Sequence, residues 1–196
     1  MKRNVFLSFV TLFLLVLNHD LFAQKVTLES LLEKAMSLSE SGKNTELAEV
    51  LKSGSFALEG EANTRGNDFK DKLLGRAAAL KNLIPSATEG TLKTDVLSKV
   101  VNTIRLLVGA NQINNLLSEG KEGLLGNAED LTASINLLQL GKAVLDNKQR
   151  DKLGNLLDAA TDPVKKLDDE DGGAKVAASA VKKTLGRIVD LVKEAV

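Results

Sequence analysis

The 196-residue sequence contains no Cys, Trp or Tyr, a single His and two Pro. Without cysteine there are no disulfides, no thiolate metal ligands and no Cys nucleophile. A single histidine cannot form a His-pair metal site. Aromatic residues make up 3% of the chain, so any core must be aliphatic. Lys and Arg balance Asp and Glu at 26 each, which removes the strong basic excess that nucleic-acid binding relies on.

What is present begins with an export signal. Met1-Lys2-Arg3-Asn4 precedes the apolar run Val5–Leu17, and Leu21-Phe22-Ala23-Gln24 offers a small residue at a cleavage point. A basic n-region, a short h-region and a small residue before the cut make a secretory signal. The run is shorter than the roughly 20 apolar residues of a membrane span. Cleavage is expected after Ala23, although Leu21 is larger than the residue usually found three before the cut. No Cys follows the run, so a lipid anchor is excluded, and the chain is expected in the periplasm or outside the cell.

Removing residues 1–23 leaves 173 residues with a net charge of −1. It also removes His19, the only histidine, and four of the six phenylalanines (Phe6, Phe9, Phe13 and Phe22). Phe56, Phe69 and Met36 remain. A chain of this length can bury a sizeable core, here one of Leu, Val, Ile and Ala.

Residues 24–196 read as one all-helical domain, a helical bundle or stacked helical hairpins of about six to seven helices. Thr27 is a candidate N-cap for Leu28, Leu31, Leu32, Ala35 and Leu38, with Gly42 as the stop. Asn44 caps a short second helix (Leu47, Val50, Leu51) closed by Gly54, and residues 55–66 read as a loop. Asn67 or Asp68 opens a third helix with the stripe Phe69, Leu73, Ala77, Leu80 and Ile84, which Pro85 should end. Thr91 opens a fourth, with Leu92, Val96, Val100, Ile104, Leu107 and Val108. Gly109 is a candidate break, and Asn111–Leu117 either continues the helix or turns.

Asn127 caps a fifth helix (Leu131, Ile135, Leu138, Leu145), with Glu129 and Asp130 suiting its first turn. Asn147 starts a sixth (Leu153, Leu156, Leu157, Ala160), which Asp162-Pro163 should stop. Asp168–Asp171 and Gly172-Gly173 form a loop whose carboxylates favour the start of the last helix. That helix runs from about Ala174 with Ala177, Val181, Leu185, Ile188, Val192 and Ala195 inside. No segment alternates with period two, so strands are not expected.

Leu-Gly followed by a polar residue recurs at Gly75, Gly126, Gly141, Gly154 and Gly186, at spacings too irregular for a repeat array. Glycine inside a helix costs up to about 1 kcal/mol against alanine, and close helix contact is one reason to tolerate it. Charge alternates along the chain: net −3 over 24–64, +4 over 65–121, −5 over 122–174 and +3 over 175–196. Complementary faces of this kind suit self-association. The simpler reading is mutual neutralisation within one bundle.

Catalytic constellations fail by composition. Without His there is no Ser-His-Asp triad, and zinc, haem and di-iron sites lack their usual ligands. Ser118-x-x-Lys121 and Ser179-x-x-Lys182 match a nucleophile-lysine spacing but lack the Ser-Asp-Asn and Lys-Thr-Gly partners, so both read as chance. Glu29/Glu33 and Glu46/Glu49 are carboxylate pairs at helical spacing and read as solvated faces rather than a glycosidase pair. The acidic run fails the EF-hand register: with Gly172 sixth, Leu167 falls first, and with Gly173 sixth, Gly172 falls fifth and Ser179 twelfth. Only non-motif calcium binding stays open there. No Gly-Lys is followed by Ser or Thr, so there is no phosphate loop.

No catalytic, metal or cofactor residue is therefore assigned. The last helix carries Lys175, Lys182, Lys183, Arg187 and Lys193, a basic face that suits an anionic membrane or a protein. It lacks the Trp or Phe of interfacial helices, so bundle packing outranks membrane docking. The composition points to an exported, non-catalytic structural or protein-interaction module, with a protein partner or self-association through its helix faces. The alternative is a carrier whose mid-helix glycines open a cavity for a lipid or other apolar ligand.

Overall fold

The computed structural model describes residues 27–169 and 173–196. The expected signal, residues 1–23, lies outside the described residues, as do Glu170 and Asp171 of the acidic run. Thr27 caps the first helix as its sequence suggests: its Oγ1 accepts the Ser30 amide at 3.2 Å. The described residues form seven α-helices: α1 (Leu28–Glu40), α2 (Asn44–Arg65), α3 (Lys70–Thr88), α4 (Thr94–Ser118), α5 (Ala128–Gly141), α6 (Asn147–Lys165) and α7 (Gly173–Ala195). Short 3₁₀ turns at Asn67–Phe69 and Lys142–Val144 lead into α3 and out of α5. No described residue lies in a strand.

Short connections fold successive helices back on one another, so α1–α2, α2–α3, α4–α5 and α6–α7 pack as hairpins. Helix α4 is central and meets α1, α3, α5 and α7. Every residue from Leu106 to Asn111 is buried, because helices cover α4 on several sides. Aliphatic side chains from all seven helices join one buried cluster, to which Phe69 is the sole aromatic contributor among the described residues.

Several expected boundaries move, each for a packing reason. Residues 55–65 are not a loop; they continue α2, and Ser55, Leu58 and Ala62 carry its buried stripe beyond Leu51. Gly54, the expected stop, and Gly60, one of the two glycines of the expected loop, sit within this helix, and Gly66, the other, is its C-cap. Pro85 does not end α3. It is exposed, and the next turn buries Ala87, so packing extends the helix. The actual stop is Gly90, at φ +70°, where the amides of Thr91 and Leu92 return to the Ser86 carbonyl.

Pro163 likewise lies inside α6, with Val164 and Leu167 buried beyond it. On α4, Val96 is 43% exposed while Leu97 and Val101 point inward, so the first turns of the stripe run one position later than expected, whereas Ile104, Leu107 and Val108 are buried as expected. Gly109 does not break α4, which continues through Ser118.

The cap of α5 also differs. Asn127 occupies the N-cap position but turns its amide to the Gly123 and Leu125 carbonyls. The Ala128 amide is met instead by Asp168 Oδ1 at 3.1 Å, from beyond the end of α6. Asp168 therefore serves the start of α5 rather than the last helix.

The glycines divide into two kinds. A Cβ on Gly109 would sit 2.8 Å from the Ser134 carbonyl oxygen, and one on Gly141 would sit 2.7 Å from that of Asn102. These two glycines let α4 and α5 approach backbone to backbone. Gly75, Gly154 and Gly186 have no atom near the added carbon, so close contact explains Gly141 alone among the recurring Leu-Gly pairs inside helices. Gly141→Ala is expected to destabilise by about 1–3 kcal/mol through overpacking. Gly154→Ala should stabilise by up to about 1 kcal/mol. Urea unfolding followed by circular dichroism separates the two signs.

Candidate binding groove

One face of α4 carries Arg105, Gln112 and Asn115 around the buried Val108 at three- and four-residue steps, which share a helix face, and Glu119 follows just past its end. On α5 the matching stripe is Asp130, Ala133, Leu137 and Leu140. Between these stripes, with α1 and the end of α2 as the far wall, two surface clefts form. One, of about 570 Å³, is bordered by Glu61, Arg65, Asn115, Glu119, Asp130 and Ser134. The other, of about 430 Å³, is bordered by Leu28, Glu29, Leu32, Arg105, Leu137 and Leu140. Gln112 and Ala133 line both, so the clefts meet and form one groove with a polar end and a more apolar end.

Hydrogen bonds hold the polar end. Asn111 and Asn115, one turn apart on α4, both donate to the Arg65 carbonyl at 3.0 Å. They satisfy an otherwise open acceptor at the C-terminus of α2. Asn67, at φ +40°, donates to Asn115 Oδ1 at 2.6 Å. Asparagine tolerates this left-handed backbone better than most residues. Ser134 donates to the Gln112 side-chain oxygen at 2.9 Å and to the Asp130 carbonyl at 2.8 Å. Asn111 itself is fully buried, and its Oδ1 has no hydrogen-bond partner among the described residues.

An ion pair anchors the other end. Arg105 donates through Nε and Nη2 to Glu29 Oε1, at 2.9 and 2.6 Å, and through Nη1 to Asn102 at 3.2 Å. The Arg105 side chain is 11% exposed and that of Glu29 26%, so the pair is partly withdrawn from water. It joins α1 to α4. The expected solvated face at Glu29 is thus half correct: Glu33 is exposed, whereas Glu29 is committed to Arg105.

Other sequence candidates stay apart. Ser118 Oγ donates to the Asn115 carbonyl at 2.6 Å, and Lys121 lies beyond the end of α4. Ser179 Oγ donates to the Lys175 carbonyl at 2.9 Å. Neither serine is paired with its lysine. Glu46 meets Lys43 at 3.6 Å on the surface. On α7, Lys193 is tied to the bundle by Asp68 at 2.7 Å and lies 5.5 Å from the centre of the Phe69 ring. Lys175, Lys182, Lys183 and Arg187 are exposed.

Among the described residues, no group of three or more His, Cys, Asp or Glu is placed to hold a metal ion. No described helix is long and apolar enough to cross a membrane.

Of the residues lining the groove, only Glu29, Glu33 and Ser118 carried a chemical signal in the sequence, and they read as a solvated face and a chance match. The available signal was the polar run Arg105, Gln112, Asn115 at helical steps within a segment otherwise buried. No family matches this chain, and neither the curated proteins nor the solved structures provide a match.

Asn111→Ala removes a buried donor and leaves the Arg65 carbonyl with one partner. A loss of about 1–3 kcal/mol is expected, larger than for Asn115→Ala at its more exposed position. Thermal and urea unfolding of the two variants side by side checks the order.

Proposed function

We propose that this chain is an exported, non-catalytic helical protein of the cell envelope or the extracellular space. In this reading it works as an interaction module and engages a protein partner through the groove between α1, α2 and α5. The observation that carries the reading is the pairing of a filled aliphatic core with an open, amphipathic groove. Interfaces combine apolar anchors with a polar rim in this way.

Export is supported by the basic n-region and apolar run at residues 2–17 and by Ala23. The first helix carries its own cap at Thr27, a few residues beyond the expected cut.

The carrier reading draws on the apolar end of the groove, where Leu28, Leu32, Val108, Leu137 and Leu140 gather. A small-molecule site usually encloses most of its ligand, and this end is a surface cleft beside a filled core. The glycines that suggested a cavity at positions 109 and 141 instead bring helix backbones together.

One experiment tests both parts. Protein purified from its native host, carrying a photo-crosslinker at Ala133, is measured by native mass spectrometry. The expected result is a chain lacking residues 1–23, free of small-molecule adducts, that crosslinks to protein at Ala133 but not at Asn155 on the exposed side of α6. A lipid-sized adduct released on denaturation transfers the assignment to the carrier. A chain that keeps its first 23 residues and stays in the cytosol rejects export.

A further inference from the structure

We infer that the occupant of the groove is a second copy of this chain, which presents the outer face of its α7. The inference rests on the interaction-module reading and names its partner.

The outer face of α7 carries Val176, Ala180, Lys183 and Arg187 in one stripe at three- and four-residue steps. Val176 is 71% exposed, the most exposed of the large apolar side chains among the described residues. Lys183 and Arg187 have no carboxylate within ion-pair distance among the described residues. The stripe therefore runs from apolar to basic along the helix. The groove changes in the same sense, from Leu137 and Leu140 at one end to Glu119 and Asp130 at the other.

The lengths agree as well. At about 1.5 Å per residue, Val176 to Arg187 spans about 16 Å and Leu140 to Asp130 about 15 Å. Seating the stripe in the groove puts Val176 and Ala180 against leucines and the two cations against carboxylates.

Charge bookkeeping within one chain points the same way. Three ion pairs connect different elements among the described residues: Lys81 with Glu59, Arg105 with Glu29, and Lys193 with Asp68. None joins the acidic stretch 122–169 to a basic one. Among the described residues, the negative charge at Asp130 and the positive charge at Lys183 and Arg187 have no ion-pair partner in the chain that carries them. Helix α7 packs on α4 and α6, away from the α1–α2–α5 rim, so among the described residues a chain's own α7 does not fill its groove.

Donor and acceptor surfaces differ, so two copies either exchange the contact reciprocally in a two-fold dimer or pass it head to tail into a ring or open chain. Charges at the rim give specificity and speed more than affinity. Association is therefore salt-sensitive.

Sedimentation velocity on the chain lacking residues 1–23 tests this across protein concentrations. It compares roughly 0.01 M salt, where the Debye length is about 30 Å, with about 1 M, where it is about 3 Å. Concentration-dependent oligomers at low salt that dissociate at high salt are expected. Lys183→Glu with Arg187→Glu, and separately Glu119→Lys with Asp130→Lys, should each weaken association at least about tenfold. Circular dichroism verifies that each variant is folded. Mixing the two variants should restore a complex, because each keeps one intact face and the reversed faces also complement each other.

A wild-type chain that stays monomeric under all conditions overturns the inference. So does association that neither charge reversal weakens. Crosslinks from Ala133 to a different protein, alongside a monomeric chain, would remove this inference and leave the module reading standing.

Discussion

Helix α4 can be central only because α5 comes close enough to touch its backbone. With no Trp or Tyr and one buried Phe, the core has no large ring to fill a wide gap between helices. Aliphatic side chains fill less space, so the helices must approach more closely. At the α4–α5 crossing that approach is set by Gly109 and Gly141, whose missing side chains leave room for the Ser134 and Asn102 carbonyls. Once α5 lies this close, Leu106, Leu107 and Leu138 are sealed from water. A fully buried leucine contributes roughly 1.5–3 kcal/mol. The hairpins α2–α3 and α6–α7 are less constrained, since they meet the centre through side chains.

The order and number of helices were legible because the apolar stripes of α1, α3, α5, α6 and α7 are continuous. Val181, Leu185, Ile188 and Val192 mark α7 without ambiguity, and all are buried. Legibility failed where local rules met packing. Gly54 suggested a stop and Gly60 and Gly66 a loop, yet Leu58 and Ala62 complete a stripe only if α2 runs on. Pro85 and Pro163 weaken the hydrogen-bond ladder, yet Ala87 and Val164 reward the next turn with burial. Val96 and Leu97 differ by one position and not in kind, and a helix buried on several sides has no single period to choose between them. The Asp168 cap of α5 was beyond local reading, because its partner amide lies 40 positions earlier in the chain.

The groove was the least legible part, for a related reason. Its residues sit on helices whose inward faces dominate the pattern, and its polar members resemble ordinary surface residues. Only the fold reveals that Arg105 answers Glu29 across α1 and α4, and that Asn111 and Asn115 share the Arg65 carbonyl. These contacts fix the ends of α1 and α2 against α4 and hold the far wall of the groove at a set distance from α5. A buried amide and a partly buried ion pair contribute little net stability compared with an apolar replacement. Their value here is geometric: they specify one position for each wall.

The charge alternation along the chain takes on a different meaning once its partners are known. Mutual neutralisation inside the bundle requires acidic and basic segments to face one another. Among the described residues only five close ion pairs form, and two of them join neighbours one turn apart in sequence. The remaining alternation is therefore carried largely outward, to water and to whatever approaches. Exposed pairs within a chain contribute at most about 1 kcal/mol each, so this outward pattern adds little to folding. It can set which surfaces meet, because charge complementarity steers encounter and penalises wrong registers. With no cysteine and a single histidine, at position 19, the sequence is poor in the side chains that most often do chemistry. What the described residues turn outward is surface for contact, an amphipathic groove and a basic helix face whose polarity runs in the same sense.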